Sequence, residues 1–298
     1  MKVQAPLTIT EGMLTSSTLT EAEHSAYAGG TTYAAGDLVI YAHRIYESLQ
    51  ASNTGHTPGL TASATWWLDT GPTNKWAMFD GSVSTASEDT ADIEVVITPG
   101  AIINSVACIS AVGTSIRVQM HDGATSVYDE TQSLDSTPIT DWAEYFFADQ
   151  VLAGELIFED LPRYLSATVT VTIADAAGTA SIGVLTLGTI HELGETLGGA
   201  SAGITDYSRK STDDFGTTTL TQRTYAKRSQ QRLWLNSAEL RRVQTLLAGL
   251  RATPCVWVGS DNTDLFSPLV IYGWFRSFSL DITGQTISYC SIEIEGLT

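Results

Sequence analysis

The sequence predicts a mainly β protein built from several domains, and three observations predict it. Thr, Ser, Ala and Gly abound while Lys is scarce, a composition that suits short strands joined by turns. Short apolar runs are separated by Gly, Pro, Asn and Asp, as in all-β proteins. Because domains hold roughly 100–200 residues, a chain of 298 residues is expected to form two or three.

The N-terminal part divides into a lead-in and a small aromatic module. Residues 1–30 show little periodicity, which predicts an extended N-terminal arm. Residues 31–74 hold many aromatic residues among short turns, and we expect a small β-module there. Its first two strands are predicted at 38–41 and 43–49, and residues 53–59 have the composition of a loop.

The middle part, residues 75–198, is predicted to form a jelly-roll-like β-sandwich. The run 92–97 ends at a Thr-Pro-Gly turn, and residues 115–120 alternate between apolar and polar. His-Asp-Gly at 121–123 then supplies a hairpin turn. Further short runs follow at the spacing typical of a sandwich.

The C-terminal part, residues 199–298, is predicted to be a β-sheet domain with one amphipathic helix. Asn236 and Glu239 form a capping-box-like pair at the start of this helix. Five apolar residues then fall on one helical face, namely Leu240, Val243, Leu246, Leu247 and Leu250. We expect this domain to mediate assembly.

The charge is unevenly distributed along the chain. Residues 1–200 carry 5 Lys and Arg against 24 Asp and Glu, a net charge of −19, whereas residues 201–298 carry 10 against 9, a net charge of +1. An acidic surface repels phosphate groups, so we predict no nucleic-acid partner. No apolar run approaches the length of a membrane span, so no membrane insertion is predicted.

Three cysteines lie in apolar, strand-like runs without metal-binding spacing. Cys108, Cys255 and Cys290 are therefore predicted to be small buried thiols of a protein folded in a reducing cytoplasm. Because the N-terminus has no apolar run, we expect neither a signal peptide nor a transmembrane segment.

The motif His191-Glu192 followed by Glu195 is not a zinc-protease site. Such a site needs two histidines one turn apart on a helix, whereas the second histidine is missing here. Gly194 and Gly198 also disfavour a helix.

Acidic residues supply no catalytic pair either. Asp213-Asp214 and Glu159-Asp160 are adjacent in sequence, whereas glycosidase carboxylates face each other across a cleft. Asp122, Asp129 and Asp135 are oxygen ligands of the kind that calcium takes, but no loop has calcium-binding spacing. We therefore predict no enzyme activity, no metal site and no cofactor.

The aromatic module resembles the small chitin-binding-type carbohydrate-binding modules of bacterial chitinases. The likeness rests on Tyr33-x-x-Gly36-Asp37-x-Val39-x-Tyr41, followed by Tyr46, Pro58 and Trp66-Trp67. The aromatic module departs from this pattern at residues 47–49, because the chitin-binding modules place an exposed Trp pair there. The resemblance implies a glycan site, whose candidate residues are Tyr41, Tyr46, Trp66 and Trp67. Because a small module also needs a core, we expect two of these four to supply it.

Other segments resemble structural proteins of bacteriophage tails. They are residues 74–81, residues 206–210 with 213–216, and residues 289–298. The resemblance implies a virion component of the tail tip or baseplate, made in the host cytoplasm. Its expected partners are other tail or baseplate proteins and further copies of itself, because repeated subunits usually form closed rings.

Two alternatives remain open. One is a receptor-recognition protein that binds a host-surface glycan, and the other is an accessory binding protein of a polysaccharide hydrolase. The end of the middle domain, at 182–188 and 192–194, is similar to the discoidin-like, galactose-binding jelly rolls. This similarity keeps the glycan-binding alternative open.

Overall fold

The computed structural model confirms a mainly β fold, with 52% of the residues in strands and 10% in helices. It describes residues 1–137, 141–147, 152–175, 178–260, 267–284 and 286–297. Four sheets are present in these ranges. No helix in them is both long and apolar enough to cross a membrane.

The strands are numbered in chain order. The first half of the chain contains β1 (Lys2–Pro6), β2 (Leu14–Ser17), β3 (Ser25–Ala26), β4 (Leu38–Tyr41), β5 (Arg44–Ser48), β6 (Trp67–Pro72), β7 (Ser87–Asp89), β8 (Ile93–Ile97), β9 (Ser105–Val112), β10 (Ser115–Asp122) and β11 (Thr125–Ser133). The second half contains β12 (Glu155–Phe158), β13 (Thr168–Ala174), β14 (Ala180–Glu192), β15 (Glu195–Thr196), β16 (Ser201–Asp206), β17 (Arg209–Thr212), β18 (Thr218–Thr221), β19 (Tyr225–Asn236), β20 (Cys255–Val258), β21 (Val270–Asp281) and β22 (Ile287–Gly296).

The helices are short. They are α1 (Asn74–Ala77), α2 (Trp142–Phe147) and α3 (Leu240–Gly249), with 3-10 turns at Glu11–Met13, Thr61–Ser63, Ser237–Glu239 and Ser267–Leu269. α3 is the predicted amphipathic helix, and Asn236 accepts a hydrogen bond from the Ala238 amide at its entry. Its apolar face packs Val243, Leu247 and Leu250 into a core that also contains Trp257.

The aromatic module is a four-stranded sheet in the order β3-β4-β5-β6. A tight turn joins β4 to β5, with positive φ at Ala42 (47°) and His43 (65°). Two consecutive positive φ values match the twist of hairpin strands. β3 pairs in parallel with β4, so part of the predicted N-terminal arm contributes a strand to the module.

The middle domain is a sandwich, as predicted. One layer is the sheet β11-β10-β13-β8-β2, and the other includes β12, β9 and β14. Alternate residues of the strands face inward, and the layers share one apolar core that includes Ile97, Val118, Phe158 and Ile173.

The N-terminal strand lies in the middle of the largest sheet. β1 pairs with β14 on one side and with β20 on the other. The buried Gln4 side chain donates to the Ser105 hydroxyl at 2.9 Å and accepts from the Thr186 hydroxyl at 2.7 Å. The first six residues therefore join the sandwich strands to the C-terminal strands in one sheet. The three predicted boundaries, after residues 30, 74 and 198, stay predictions.

Candidate functional site

Aromatic side chains converge on one face of the module sheet. Val39 on β4 is paired with Tyr46 on β5, so both side chains point to the same face. Tyr33 and Trp67 complete a buried cluster with them. The rings of Tyr33 and Trp67 lie 5.3 Å apart, edge to face, an arrangement that aromatic pairs prefer.

Two of the four predicted glycan-binding residues belong to this cluster. Tyr46 and Trp67 are 7% and 4% exposed. The Trp67 indole N–H donates to the His56 carbonyl oxygen at 2.6 Å, and burial raises the pKa of Tyr46. A ring that is covered on both sides offers no face for a sugar to stack on. Tyr46 and Trp67 therefore serve as the core of the module.

The other two predicted residues remain at the surface. Tyr41 is 38% exposed, and its ring meets Tyr27 edge to face at 5.7 Å. Trp66 is half-buried and stacks on His56, with ring centroids 4.0 Å apart and planes 11° apart. This Trp66–His56 pair is a flat aromatic plate at the edge of the module.

Tyr41 and Trp66 do not form one platform. Tyr41 pairs with Arg44 at one end of the β4–β5 hairpin, while Trp67 pairs with Ser48 at the other end. Ser48 follows Arg44 by four positions, which corresponds to about 13 Å along a strand. The two exposed rings therefore lie at different places on the module.

Two further residues of this region, His56 and Tyr27, are not predicted from the sequence. His56 was placed in a loop by composition, and its stacking on Trp66 needs the loop to fold back. Tyr27 lies outside the predicted module, yet its ring contacts Tyr33 and Trp67 at 5.9 Å each. The buried Tyr27 hydroxyl has no hydrogen-bond partner among the described residues. The one sequence feature that points to Tyr27 is its position, a few residues before the predicted module.

The segment 74–81 connects the module to the sandwich. Trp76 is 9% exposed and stacks on His43 at 4.2 Å. Two residues later, Met78 is fully buried in the sandwich core. Glu21 accepts from the His43 ring at 3.0 Å and from the Thr73 hydroxyl at 2.7 Å. This segment thus packs against both domains at once.

A long exposed hairpin extends from the C-terminal sheet. The ladder of β16 and β19 ends at Asp206 and Tyr225, and β17 and β18 pair beyond it. Every residue from 206 to 225 is exposed, and Phe215 at the tip is 95% exposed. Asp213 holds the tip by accepting hydrogen bonds from the amides of Phe215 and Thr217. We call residues 206–225 the exposed hairpin.

No metal centre is formed in the described ranges, where no group of three or more His, Cys, Asp or Glu residues converges. His191 and Glu192 lie on strand β14. A zinc-protease motif needs a helix at this place. Asp129 pairs with Arg117, and it sits opposite Gln119 rather than beside Asp122. The acidic residues of β10 and β11 are thus spread along the hairpin.

Comparisons with known proteins give only distant structural similarities. No family model matches the chain, and no curated protein matches it. One similar solved structure is chitosan-binding module 1 of a chitosanase/glucanase from Paenibacillus sp. IK-5, with 15% identity, a TM-score of 0.25, and coverage of 37% of this chain and 81% of that chain. Another is the lectin domain of lectinolysin complexed with Lewis B antigen, with 10% identity, a TM-score of 0.26, and coverage of 37% and 80%. Because these TM-scores are low, the two similarities carry no functional argument.

Proposed function

We propose that the chain is a structural component of a phage tail tip or baseplate, with no catalytic step of its own. It assembles into the virion through its C-terminal domain and presents the aromatic module and the sandwich outward. The resemblance of residues 74–81, and of residues 206–210 with 213–216, to tail proteins supports the virion assignment. The observation that carries the assembly role is the exposed hairpin.

The exposed hairpin has the properties of a segment that binds another subunit. An isolated two-stranded hairpin is only marginally stable in water. Here one extends from the sheet and carries Phe215 and Leu220 at 95% and 75% exposure. Both side chains lose contact with water if a neighbouring protein covers them, and that burial stabilises the assembly.

The proposal is tested on particles of the phage that encodes this chain. We expect peptide mass spectrometry of purified virions to detect the chain at a fixed ratio to the tail proteins. Particles produced without the chain should have incomplete tail tips in electron micrographs. A chain that stays monomeric and is absent from purified virions contradicts the proposal.

A second candidate function is receptor recognition through a host-surface glycan. The Trp66–His56 plate and the exposed ring of Tyr41 favour it, because sugars stack on exposed aromatic faces. One such contact contributes about 0.5–1.5 kcal/mol. A glycan array that detects binding should therefore show about two- to twelvefold weaker binding for Trp66→Ala.

The matched control is Leu60→Ala, since Leu60 is 56% exposed in the same loop. This variant should bind like the unmodified chain. Equal losses for both variants, or binding that survives Trp66→Ala, contradict a glycan site at the plate. Release of reducing sugar from a polysaccharide would instead favour a role in hydrolysis.

A further inference from the structure

Three partly exposed side chains lie side by side at one end of the module sheet. Tyr41 is paired with Arg44 across the β4–β5 hairpin, so both side chains project to the same face. Tyr46 follows Arg44 by two positions and is opposed by Asp69 of β6, which places Asp69 on this face as well. The Arg44 Nε–H donates to Asp69 Oδ2 at 2.6 Å. We call Tyr41, Arg44 and Asp69 the Tyr41 site.

Electrostatic interactions confirm that these groups are neighbours. Burial raises the pKa of Tyr46, and the charges of Asp69 and Arg44 and the hydroxyl of Tyr41 also act on it. The hydrogen bond to Asp69 raises the pKa of Arg44. The guanidinium therefore keeps its charge beside the carboxylate.

The Tyr41 site has hydrogen-bonding capacity that the protein does not use. The side chains of Arg44 and Asp69 are 41% and 40% exposed. Within the described residues Arg44 donates only through Nε, which leaves the N–H groups of its two Nη atoms available. Asp69 Oδ1 accepts from the Gly71 amide at 3.0 Å, and each carboxylate oxygen can accept a further bond.

A second ion pair of the same residue types shows a closed geometry instead. On the sandwich, Arg117 donates through Nε and Nη2 to the two oxygens of Asp129, at 2.8 Å and 2.6 Å. Gln119 donates to the same carboxylate at 3.1 Å. This two-bond arrangement is the strong form of an Arg–carboxylate pair. The single bond between Arg44 and Asp69 thus leaves an outer edge of the guanidinium open to a ligand.

A β-bulge directs Asp69 toward Arg44. The register of β5 and β6 shifts between Ile45 and Tyr46, because Thr70 is an extra residue on β6. The Thr70 hydroxyl donates to the Ile45 carbonyl oxygen at 2.9 Å and fixes the bulge. Bulges re-aim side chains and are frequent next to functional sites.

The β4–β5 turn is held in place from the connector. The His43 ring stacks on Trp76 at 4.2 Å, and the Thr73 amide donates to the His43 carbonyl oxygen at 2.9 Å. Tyr27 supports the Tyr41 ring through an edge-to-face contact at 5.7 Å. A site that is rigid before binding loses less conformational entropy when a ligand arrives.

We propose that the Tyr41 site binds a neutral pyranose ring, with the apolar face of the sugar on Tyr41 and two neighbouring hydroxyls on Arg44 and Asp69. This inference rests on the glycan-binding candidate function and names its sugar class. A hydroxyl both accepts and donates. One sugar oxygen accepts from an Nη–H of Arg44 while the next hydroxyl donates to the Asp69 carboxylate, and the ring carbons stack on the aromatic face.

The two opposite charges of the Tyr41 site select a sugar without charge. A sugar carboxylate placed on this site meets the like charge of Asp69, and a sugar ammonium meets that of Arg44. Like charges brought together in this way are a device for rejecting wrong ligands. Asp80 also acts on Arg44 and adds to the repulsion of an anionic sugar.

Nuclear magnetic resonance of the full chain tests the proposal. The methyl glycosides of glucose, galactose, mannose and N-acetylglucosamine are added separately. The Arg44 Nε–H signal, identified by its absence from Arg44→Lys, should shift with at least one of them. Lysine keeps the charge but lacks the planar N–H edge, so Arg44→Lys should bind that sugar at least about tenfold more weakly. Tyr41→Ala should bind it about two- to twelvefold more weakly.

The matched control is Arg117→Lys, because Arg117 belongs to the closed ion pair. This variant should bind the sugar like the unmodified chain. Glucuronic acid and glucosamine should leave the Arg44 signal in place. Equal losses for Arg44→Lys and Arg117→Lys, or a larger shift with a charged sugar than with every neutral one, overturn the proposal.

Two failures are distinguishable through the Trp66 indole signal. If a neutral sugar shifts that signal but not the signal of Arg44, the Tyr41 site is wrong and glycan recognition at the Trp66–His56 plate stands. If none of the four sugars shifts either signal, both the Tyr41 site and the glycan-binding candidate are contradicted.

Discussion

Neighbouring residues Trp66 and Trp67 have different environments because the chain enters β6 between them. Trp67 is the first residue of the strand, and its side chain enters the core between Tyr27 and Tyr33. Trp66 precedes the strand and turns toward His56. Position relative to the strand therefore determines which indole stabilises the module and which remains available to a ligand.

Replacement of the two tryptophans should separate these roles. Trp67→Ala leaves a large cavity in a small core, and such changes lower the free energy of unfolding by about 3–5 kcal/mol. Trp66→Ala removes a half-buried contact, and we expect a loss of about 1 kcal/mol. Urea unfolding followed by circular dichroism measures both values. Similar losses for the two variants contradict the assignment.

The three cysteines should be inert in the native state. Burial raises the pKa of Cys108 and Cys255 to about 12 and that of Cys290 to about 11, from an ordinary value of 9.0. The thiolate is the reactive form, so a thiol reagent at pH 8 should label the unfolded chain only. Rapid labelling of the native chain contradicts the burial of these thiols.

The same shifts predict a loss of stability in alkali. A raised pKa in the folded state stabilises the fold fully below the ordinary thiol pKa. This contribution is lost as the pH rises from about 9 toward 12. Unfolding measured at pH 8 and pH 11 should therefore show lower stability at pH 11, and less of a decrease when the cysteines are replaced by Ser or Ala.

At the residue scale, part of the site followed from the sequence. A small module needs a core, and this predicted that two of its four candidate aromatics would be buried. The sequence does not predict which two are buried, because contacts with the loop at 53–59 and with Tyr27 determine this. Trp67 donates to the His56 carbonyl and contacts Tyr27, and neither contact is encoded in local periodicity.

At the scale of elements, the pairing of β1 with β14 depends on one glycine. A Cβ on Gly188 would lie 2.1 Å from the Ala5 carbonyl oxygen, which is a severe clash with backbone. Gly188→Ala should therefore destabilise the chain by about 1–3 kcal/mol, as overpacking does. Chemical unfolding measures the loss.

The control is Gly203→Ala on β16, where a Cβ meets nothing within 4 Å. Its stability should stay within about 0.5 kcal/mol of the unmodified chain. A tolerated Gly188→Ala would show that β1 does not pack against β14 as described.

The exposed hairpin should be the first target of trypsin. Arg209, Lys210 and Arg223 are exposed on its stem, where little apolar burial opposes local opening. Early cleavage should occur after these residues, and mass spectrometry identifies the sites. Because β16 and β19 remain paired outside the cuts, the fragments should elute together. First cuts within the sandwich contradict this prediction.

Strand positions were more predictable than strand partners. The runs at 38–41 and 92–97 and the amphipathic helix were recognisable from turns and periodicity. The place of β1 was not, because it pairs with residues 188–192 and 256–258, far away in sequence. Local patterns carry little information on such pairings, and the lead-in was therefore expected to be an arm.

At the scale of the whole molecule, charge separates two regions. Residues 1–200 carry a net charge of −19, and residues 201–298 a net charge of +1. Copies repel each other through their acidic parts. Contacts between copies are therefore expected to involve the C-terminal part, from which the exposed hairpin extends.

Sedimentation of the full chain, with and without its hairpin, tests the assembly role most directly. In the shortened chain, residues 208–222 are replaced by a short Gly-Ser turn, which leaves the β16–β19 ladder in place. We predict that the full chain forms larger species as its concentration rises, whereas the shortened chain stays monomeric with an unchanged circular dichroism spectrum outside the deleted strands. Identical sedimentation of the two chains at every concentration contradicts the account.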